Sequence, residues 1–150
     1  MFYDDPSIDF LVAALPRDTP WSPLFDHCAM AIAVLTPRFA YYRVNDAYAA
    51  ADGRRPDDYL GRHHFVLHPN SKLEAIFTEV RESGKPYSHR AVPYERGMDP
   101  RRGIGRWNWH LHPLPESVGG ALLLVMKDVT AQLRAQERGL GDLSLTKDTR

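Results

Sequence analysis

His110 and His112, followed by Glu116, are the residues whose spacing most directly suggests chemistry. Alternate residues of a strand point the same way. Two imidazoles would share one side, and with a carboxylate they form a donor set for a transition-metal ion. A second histidine group, His63, His64 and His68, falls in a polar stretch and reads as surface imidazoles. Trp107 and Trp109 alternate with the strand histidines, so together with Leu111 they occupy its other side. Two such rings either fill a core or border a small-molecule pocket. Asp128 and Thr130 stand where the last apolar run gives way to a polar segment, and Thr130 is suited to cap a helix there. Cys28 is the single cysteine, which excludes an internal disulfide and suits a reducing cytoplasm. No nucleophile elbow, phosphate loop or supported carboxylate pair is present, and Gly103-x-Gly105 is not followed by a helix.

The elements that must position these residues follow from hydrophobic period and punctuation. Ile8, Leu11, Val12 and Leu15 predict an amphipathic helix over 7–15, capped by Ser7. Residues 16–20 form a linker, and Ser22-Pro23 starts a short helix to about His27. Residues 30–35 and 39–44 read as a strand hairpin. In the first strand Met30, Ile32 and Val34 share one face and Ala29, Ala31 and Ala33 the other, which invites close approach by the 8–15 helix. In the second, Tyr42 and Val44 oppose Phe39, Tyr41 and Arg43. Asn45 caps a short helix over 46–51, and 56–60 is another helical turn. Residues 62–69 read as irregular. The one longer helix runs from Asn70 or Ser71 to about Glu82, with Leu73, Ile76, Phe77 and Val80 as its stripe. Residues 86–94 make a third strand, and 95–102 a charged loop. The alternating run after Gly103 and the apolar run 121–126 are the last two strands, and the second of these suits a central position. An exit helix follows, frayed beyond Glu137. Strands at both ends with helices between them indicate an α+β domain on one antiparallel sheet.

The chain has 150 residues, enough for one domain with a real core. Nineteen basic and nineteen acidic residues balance, so no electrostatic footprint marks a nucleic-acid or membrane-surface partner. The longest apolar run is too short to span a bilayer, and no basic segment precedes an apolar one at the N-terminus. A cytoplasmic location is expected.

Several segments in chain order resemble a PAS domain. His27-Cys28-Ala29-Met30-Ala31-Ile32-Ala33-Val34-Leu35 is similar to the first PAS strand, and Tyr42-Arg43-Val44-Asn45-Asp46-Ala47-Tyr48 to the second strand with its following asparagine. Ser83-Gly84-Lys85-Pro86 resembles the end of the long helix. Trp107-Asn108-Trp109-His110-Leu111-His112-Pro113-Leu114 resembles the Trp-Asp-Trp-x-Leu-x-Pro strand of some sensor-kinase members, with Asn108 in place of the aspartate. Asp128-Val129-Thr130 resembles the exit motif.

The resemblance implies a PAS-like five-stranded antiparallel sheet with short helices and one longer helix on one face, and the N-terminal helix on the other. It implies three parts: a cap helix and linker (1–21), the sensor domain (22–130), and an exit helix and tail (131–150) leading toward an output domain such as a histidine kinase outside this chain. The expected role is sensory and not enzymatic. A small ligand of unknown identity would occupy an apolar pocket formed by Ile32, Tyr42, Phe65, Ile76, Phe77, Val80, Trp107, Trp109 and Leu123, and Asp128 and Thr130 would relay its effect. The sheet face left by the central helices calls for the N-terminal helix, a second copy of the chain, or both, so a homodimer is expected. A protein-interaction domain with no ligand is the alternative.

Two further alternatives rest on the histidines. His110-x-His112 with Glu116 resembles the first cupin metal motif, which would make a small metal-dependent enzyme. Against it, the preceding glycine is out of register, Pro113 and Pro115 interrupt the approach to Glu116, and a cupin needs more strands. Haem needs an axial ligand from the protein. In haem-binding PAS domains that histidine comes from the long helix, and here the helix has none, leaving only His68 just before it. Flavin photochemistry of the LOV type lacks its Asn-Cys-Arg-Phe-Leu run, and Cys28 lies in another segment.

Overall fold

The computed structural model describes residues 5–95 and 104–148. Five antiparallel strands form one sheet in the order β2-β1-β5-β4-β3. They are β1 (Ala31–Leu35), β2 (Tyr41–Val44), β3 (Tyr87–Glu95), β4 (Ile104–Pro113) and β5 (Leu122–Asp128). The apolar run does take the centre, with β1 and β4 on either side of β5. The charged loop expected over 95–102 lies almost wholly outside the described residues.

The near face carries α3 (Asp46–Asp52), a 3-10 turn at Pro56–Asp58, a one-turn helix α4 (His64–Leu67) and the long helix α5 (Ser71–Ser83). Asn45 caps α3 as expected and does more. Its Oδ1 accepts from both the Tyr48 and Ile32 amides, its Nδ2 donates to the Met30 carbonyl, and it is fully buried. One side chain thus satisfies the helix N-terminus and fixes it to β1. Asn70 caps α5 through the Leu73 amide. α4 falls in the stretch that reads as irregular in sequence, because a single turn is too short to show a period. Backbone bonds place it. The Tyr41 amide donates to the Arg62 carbonyl, and the His64 amide to that of Phe39.

α1 (Pro6–Ala14) lies on the far face, where Ile8 and Leu11 pack with Val34, Tyr42 and Ala121. Its N-cap is Asp5, not Ser7. One carboxylate oxygen accepts from the Ser7 amide at 2.9 Å and the other from Thr36 Oγ1 at 2.5 Å, which ties the helix to the β1–β2 turn. α1 therefore covers the valine side of β1 and not the alanine side. Ala31 and Ala33 belong to the near-face core instead. Gly119 lies beneath α1 at φ +67°, and a Cβ there would stand 2.8 Å from the Phe10 ring. α2 (Ser22–Asp26) follows Trp21, and Ser22 Oγ bonds the Arg17 carbonyl and the Thr19 amide instead of capping it.

β2 departs from simple alternation. Ala33 pairs with Val44 and Val34 with Arg43, but Leu35 pairs with Tyr41, so Tyr42 is an extra residue in a β-bulge. The bulge puts Tyr41 and Val44 together in the near-face core and sends Tyr42 to the far face, where its hydroxyl donates to the Leu15 carbonyl. The pairing of Tyr42 with Val44 expected from alternation is corrected accordingly.

A second bulge interrupts β3 between His89 and Val92. Ala91 there has φ +56°, and its amide donates to Asn108 Oδ1 at 2.9 Å. The role of residue 108 needs an acceptor, which an uncharged amide supplies.

After β5, α6 runs Thr130–Asp148, continuing past the point where the sequence suggests fraying. Among the described residues no helix is long and apolar enough to cross a membrane.

Candidate functional site

Between the near face and its helices lies a cavity of about 680 Å³, within the range of small-molecule sites. Its floor follows from strand register. Ala31 pairs with Met126, Met126 with Trp109, and Trp109 with His89, which makes one row across four strands. All four residues line the cavity, with Leu124, Trp107, Val92 and Tyr87 beside them. The small side chain of Ala31 leaves the space that a larger residue would fill. Leu73, Ile76 and Phe77 of α5 form the roof. Exposed Asn70 and Lys72 on one side, and exposed His89 and Pro93 on the other, mark the mouth.

The end formed by α3 and α4 is polar. His64 is buried, and its Nδ1 lies 2.5 Å from the Tyr41 hydroxyl, which is 2.7 Å from the Tyr48 hydroxyl. Burial, then the charges of His68 and His63, lower the His64 pKa to about 3, against a weaker upward pull from Asp52. The imidazole is neutral at ordinary pH. Burial first, then Tyr48, push the Tyr41 hydroxyl far up. Asp52 accepts on Oδ2 from Tyr59, Arg54 Nε and His68 Nε2, at 2.7, 3.0 and 3.2 Å. Burial alone would raise its carboxyl, but the bonds from His68 and Tyr59 and the charges of His68 and Arg54 outweigh it and hold the pKa below the usual value. Asp52 is therefore ionised. The expectation of three surface imidazoles is corrected. His64 is part of the core, His63 caps α4 through the Phe65 amide, and His68 pairs with Asp52.

The nine residues expected around a pocket divide three ways. Ile76, Phe77, Trp107 and Trp109 line the cavity. Phe65 and Val80 are packed in the near-face core without reaching it. Tyr42 and Leu123 belong to the far-face cluster, and Ile32, between Ala31 and Ala33, also points to the far side. The errors at the three strand residues share one origin: in strands apolar on both sides, hydrophobicity does not say which face is inward. Phe65 and Val80 are on the correct face but are taken up by core packing. The register from Trp109 through Met126 to Ala31 would have found the floor. Tyr48, Asp52 and His64 are missed because tertiary contact alone brings them to the wall.

The strand histidines face away from the cavity. His110 Nδ1 lies 2.7 Å from Ser88 Oγ, and its ring stacks with that of His112 at 6.1 Å. Among the described residues no group of three His, Cys, Asp or Glu side chains is arranged to hold a metal ion.

The start of α6 is bound to β4. Thr130 Oγ1 accepts from the Arg106 amide at 2.8 Å, and the Val129 amide donates to the Arg106 carbonyl at 2.9 Å. Asp128 Oδ1 accepts from the Thr130 amide at 2.9 Å. Asp128 thus satisfies the first amide of α6, and Thr130, expected to cap, is the clamp. Trp107, the next residue after Arg106, lines the cavity.

Residues 25–134 match a family model described as PAS fold. Solved structures share the architecture. A domain of the sensory box sensor histidine kinase/response regulator from Geobacter sulfurreducens aligns at TM-score 0.56 and 22% identity, over 72% of this chain and 90% of that one. The PAS domain of nitrogen regulation protein NR(II) from Vibrio parahaemolyticus aligns at 0.56 and 14%, over 74% and 99%. The PAS domain of a LuxR-family transcriptional regulator from Burkholderia thailandensis, solved in complex with ethanol, aligns at 0.55 and 17%, over 74% and 98%. No curated protein matches the sequence.

Proposed function

The chain belongs to the PAS family, and on that premise we propose that it is a cytoplasmic sensory module, without catalytic activity, that holds a small molecule in the near-face cavity and passes its presence to α6. The observation that carries this reading is the adjacency of cavity wall and exit helix. Trp107 borders the space, and the neighbouring Arg106 peptide is bonded to Val129 and Thr130 at the helix start. A ligand that displaces the Trp107 ring strains one peptide, and that peptide holds α6. Asp128 and Thr130 then relay the strain toward an output domain such as a histidine kinase beyond this chain.

Native and denaturing mass spectra of the purified protein test the reading. The native mass exceeds the chain mass by that of a small molecule, which is lost on denaturation. Ile76→Trp fills the space and restores the bare mass while the far-ultraviolet spectrum stays unchanged. Bare chain mass for the parent protein, before and after incubation with cell extract, would overturn ligand retention.

A second reading, self-association, has its own observation. Phe10, Val12, Trp21 and Leu24 are exposed near the N-terminus, a composition suited to a second copy of the chain. The same native spectra report the dimer.

A further inference from the structure

The cavity has two chemically different ends. At the sheet end Trp109 lies 5.2 Å from Tyr87 and 6.3 Å from Phe77, ring centre to ring centre, with Trp107 beside it. These packed rings form an aromatic wall, and a further flat ring lying against it extends the same packing. At the α3–α4 end the polar groups are only partly used. The three bonds that reach Asp52 all end on Oδ2, and Oδ1 receives none among the described residues. His64 spends Nδ1 on Tyr41, and Nε2 has no hydrogen-bond partner among the described residues. That residue is 6% exposed and lines the cavity. Nε2 is not sealed off by the surrounding side chains, so a group in the cavity can reach it.

The geometry points to a planar aromatic ligand with a hydrogen-bond donor on one edge, its ring against Trp109 and Phe77 and its donor edge on Asp52 and His64. This rests on the cavity being a ligand site and adds the chemistry of the occupant. The ionised Asp52 decides the sign. A carboxylate placed deep in the site would face it; Arg54 and His68 are already engaged on Oδ2, and Lys72, which lines the cavity, lies out at the mouth. An amino-heterocycle gives Asp52 Oδ1 a charge-assisted bond, the stronger kind. His64 serves either donor or acceptor through Nε2, since its tautomer adjusts to Tyr41.

Three probes of one shape separate the possibilities: 2-aminoquinoline, quinoline and quinoline-2-carboxylate, each titrated into the full chain by protein-observed nuclear magnetic resonance. The expected order is the amine at least tenfold tighter than quinoline, and the carboxylate weakest. Asp52→Asn removes the tenfold preference of the amine over quinoline. The ranking on the parent protein stands even where that variant folds poorly. Equal binding of all three, or tightest binding of the carboxylate, would overturn the donor-edge inference while leaving the pocket intact. Shifts from no probe, with Ile76→Trp indistinguishable from parent, would overturn the pocket reading and this inference with it.

Discussion

The two faces of the sheet bury apolar surface in opposite ways. On the far face α1 sets Ile8 and Leu11, each nearly inaccessible to solvent, directly on Val34, Tyr42 and Ala121. The side chains are mostly aliphatic or small, with Tyr42 and Phe25 the aromatic exceptions, and the layer is closed. On the near face the residues are larger, with Tyr41, Tyr48, Tyr59, Phe39, Phe65 and Phe77 interlocked edge to face at centroid distances of 4.9 to 5.8 Å. Yet this face is hollow toward β3 and β4. Rigid rings span a gap that aliphatic chains would collapse into. The filled face anchors, and the hollow face is free to hold something else.

The largest expected effect tests that division directly. Leu11→Ala should lower unfolding free energy by about 3 kcal/mol, because a closed layer loses contacts and gains a cavity. Ile76→Ala, at the roof of existing space, should cost about 1 kcal/mol, since little packing is lost where none was complete. Urea denaturation of both variants gives the two numbers, and equal costs would break the comparison.

Acid should act on the near face. Unfolded His64 titrates near 6.5 and folded His64 near 3. The unfolded chain therefore binds the extra proton between those values. The stability from neutral His64 is complete above the unfolded pKa and is lost as pH falls from 6.5 toward 3. The slope is about 1 kcal/mol per pH unit. His68, His63 and Asp52 face the ring and share its field. Denaturation midpoints of parent and His64→Phe between pH 6.5 and 4.5 measure it. The variant should show the shallower slope, and parallel curves would mean that the buried imidazole is not the sensitive group.

The smallest effect returns to the far face. Tyr42→Phe removes the hydroxyl bonded to the Leu15 carbonyl at the end of α1. A loss of about 1 kcal/mol in thermal unfolding is expected. No loss would mean that α1 is held by Ile8, Leu11 and Asp5 alone.

Much of this division is legible in the sequence. The alternation of Trp107, Trp109 and Leu111 fixes their common face, the cap at Asn45 is correctly marked, the start of α5 is placed at Asn70 or Ser71, and the placement of an N-terminal helix opposite the central helices follows from a strand apolar on both sides. What the pattern does not carry is register and tertiary contact. Ala31 reads as a docking surface for α1 until its pairing with Met126 sets it in the cavity floor. His64 reads as a surface residue because a one-turn helix has no period, and its burial depends on Tyr41, 23 residues away.

Tyr42 is the extra residue of β2, and it lets neighbouring tyrosines serve opposite layers: Tyr41 joins the ring cluster and Tyr42 reaches the end of α1. The strand is consequently a poor place for a change in length. Loss of one residue would erase the bulge and exchange inside for outside along part of β2, at once opening the ring cluster and releasing the N-terminal helix. Substitutions at either tyrosine act on one layer, whereas a single-codon deletion acts on both. Natural variation in this strand should therefore run through changes of side chain and leave its length alone.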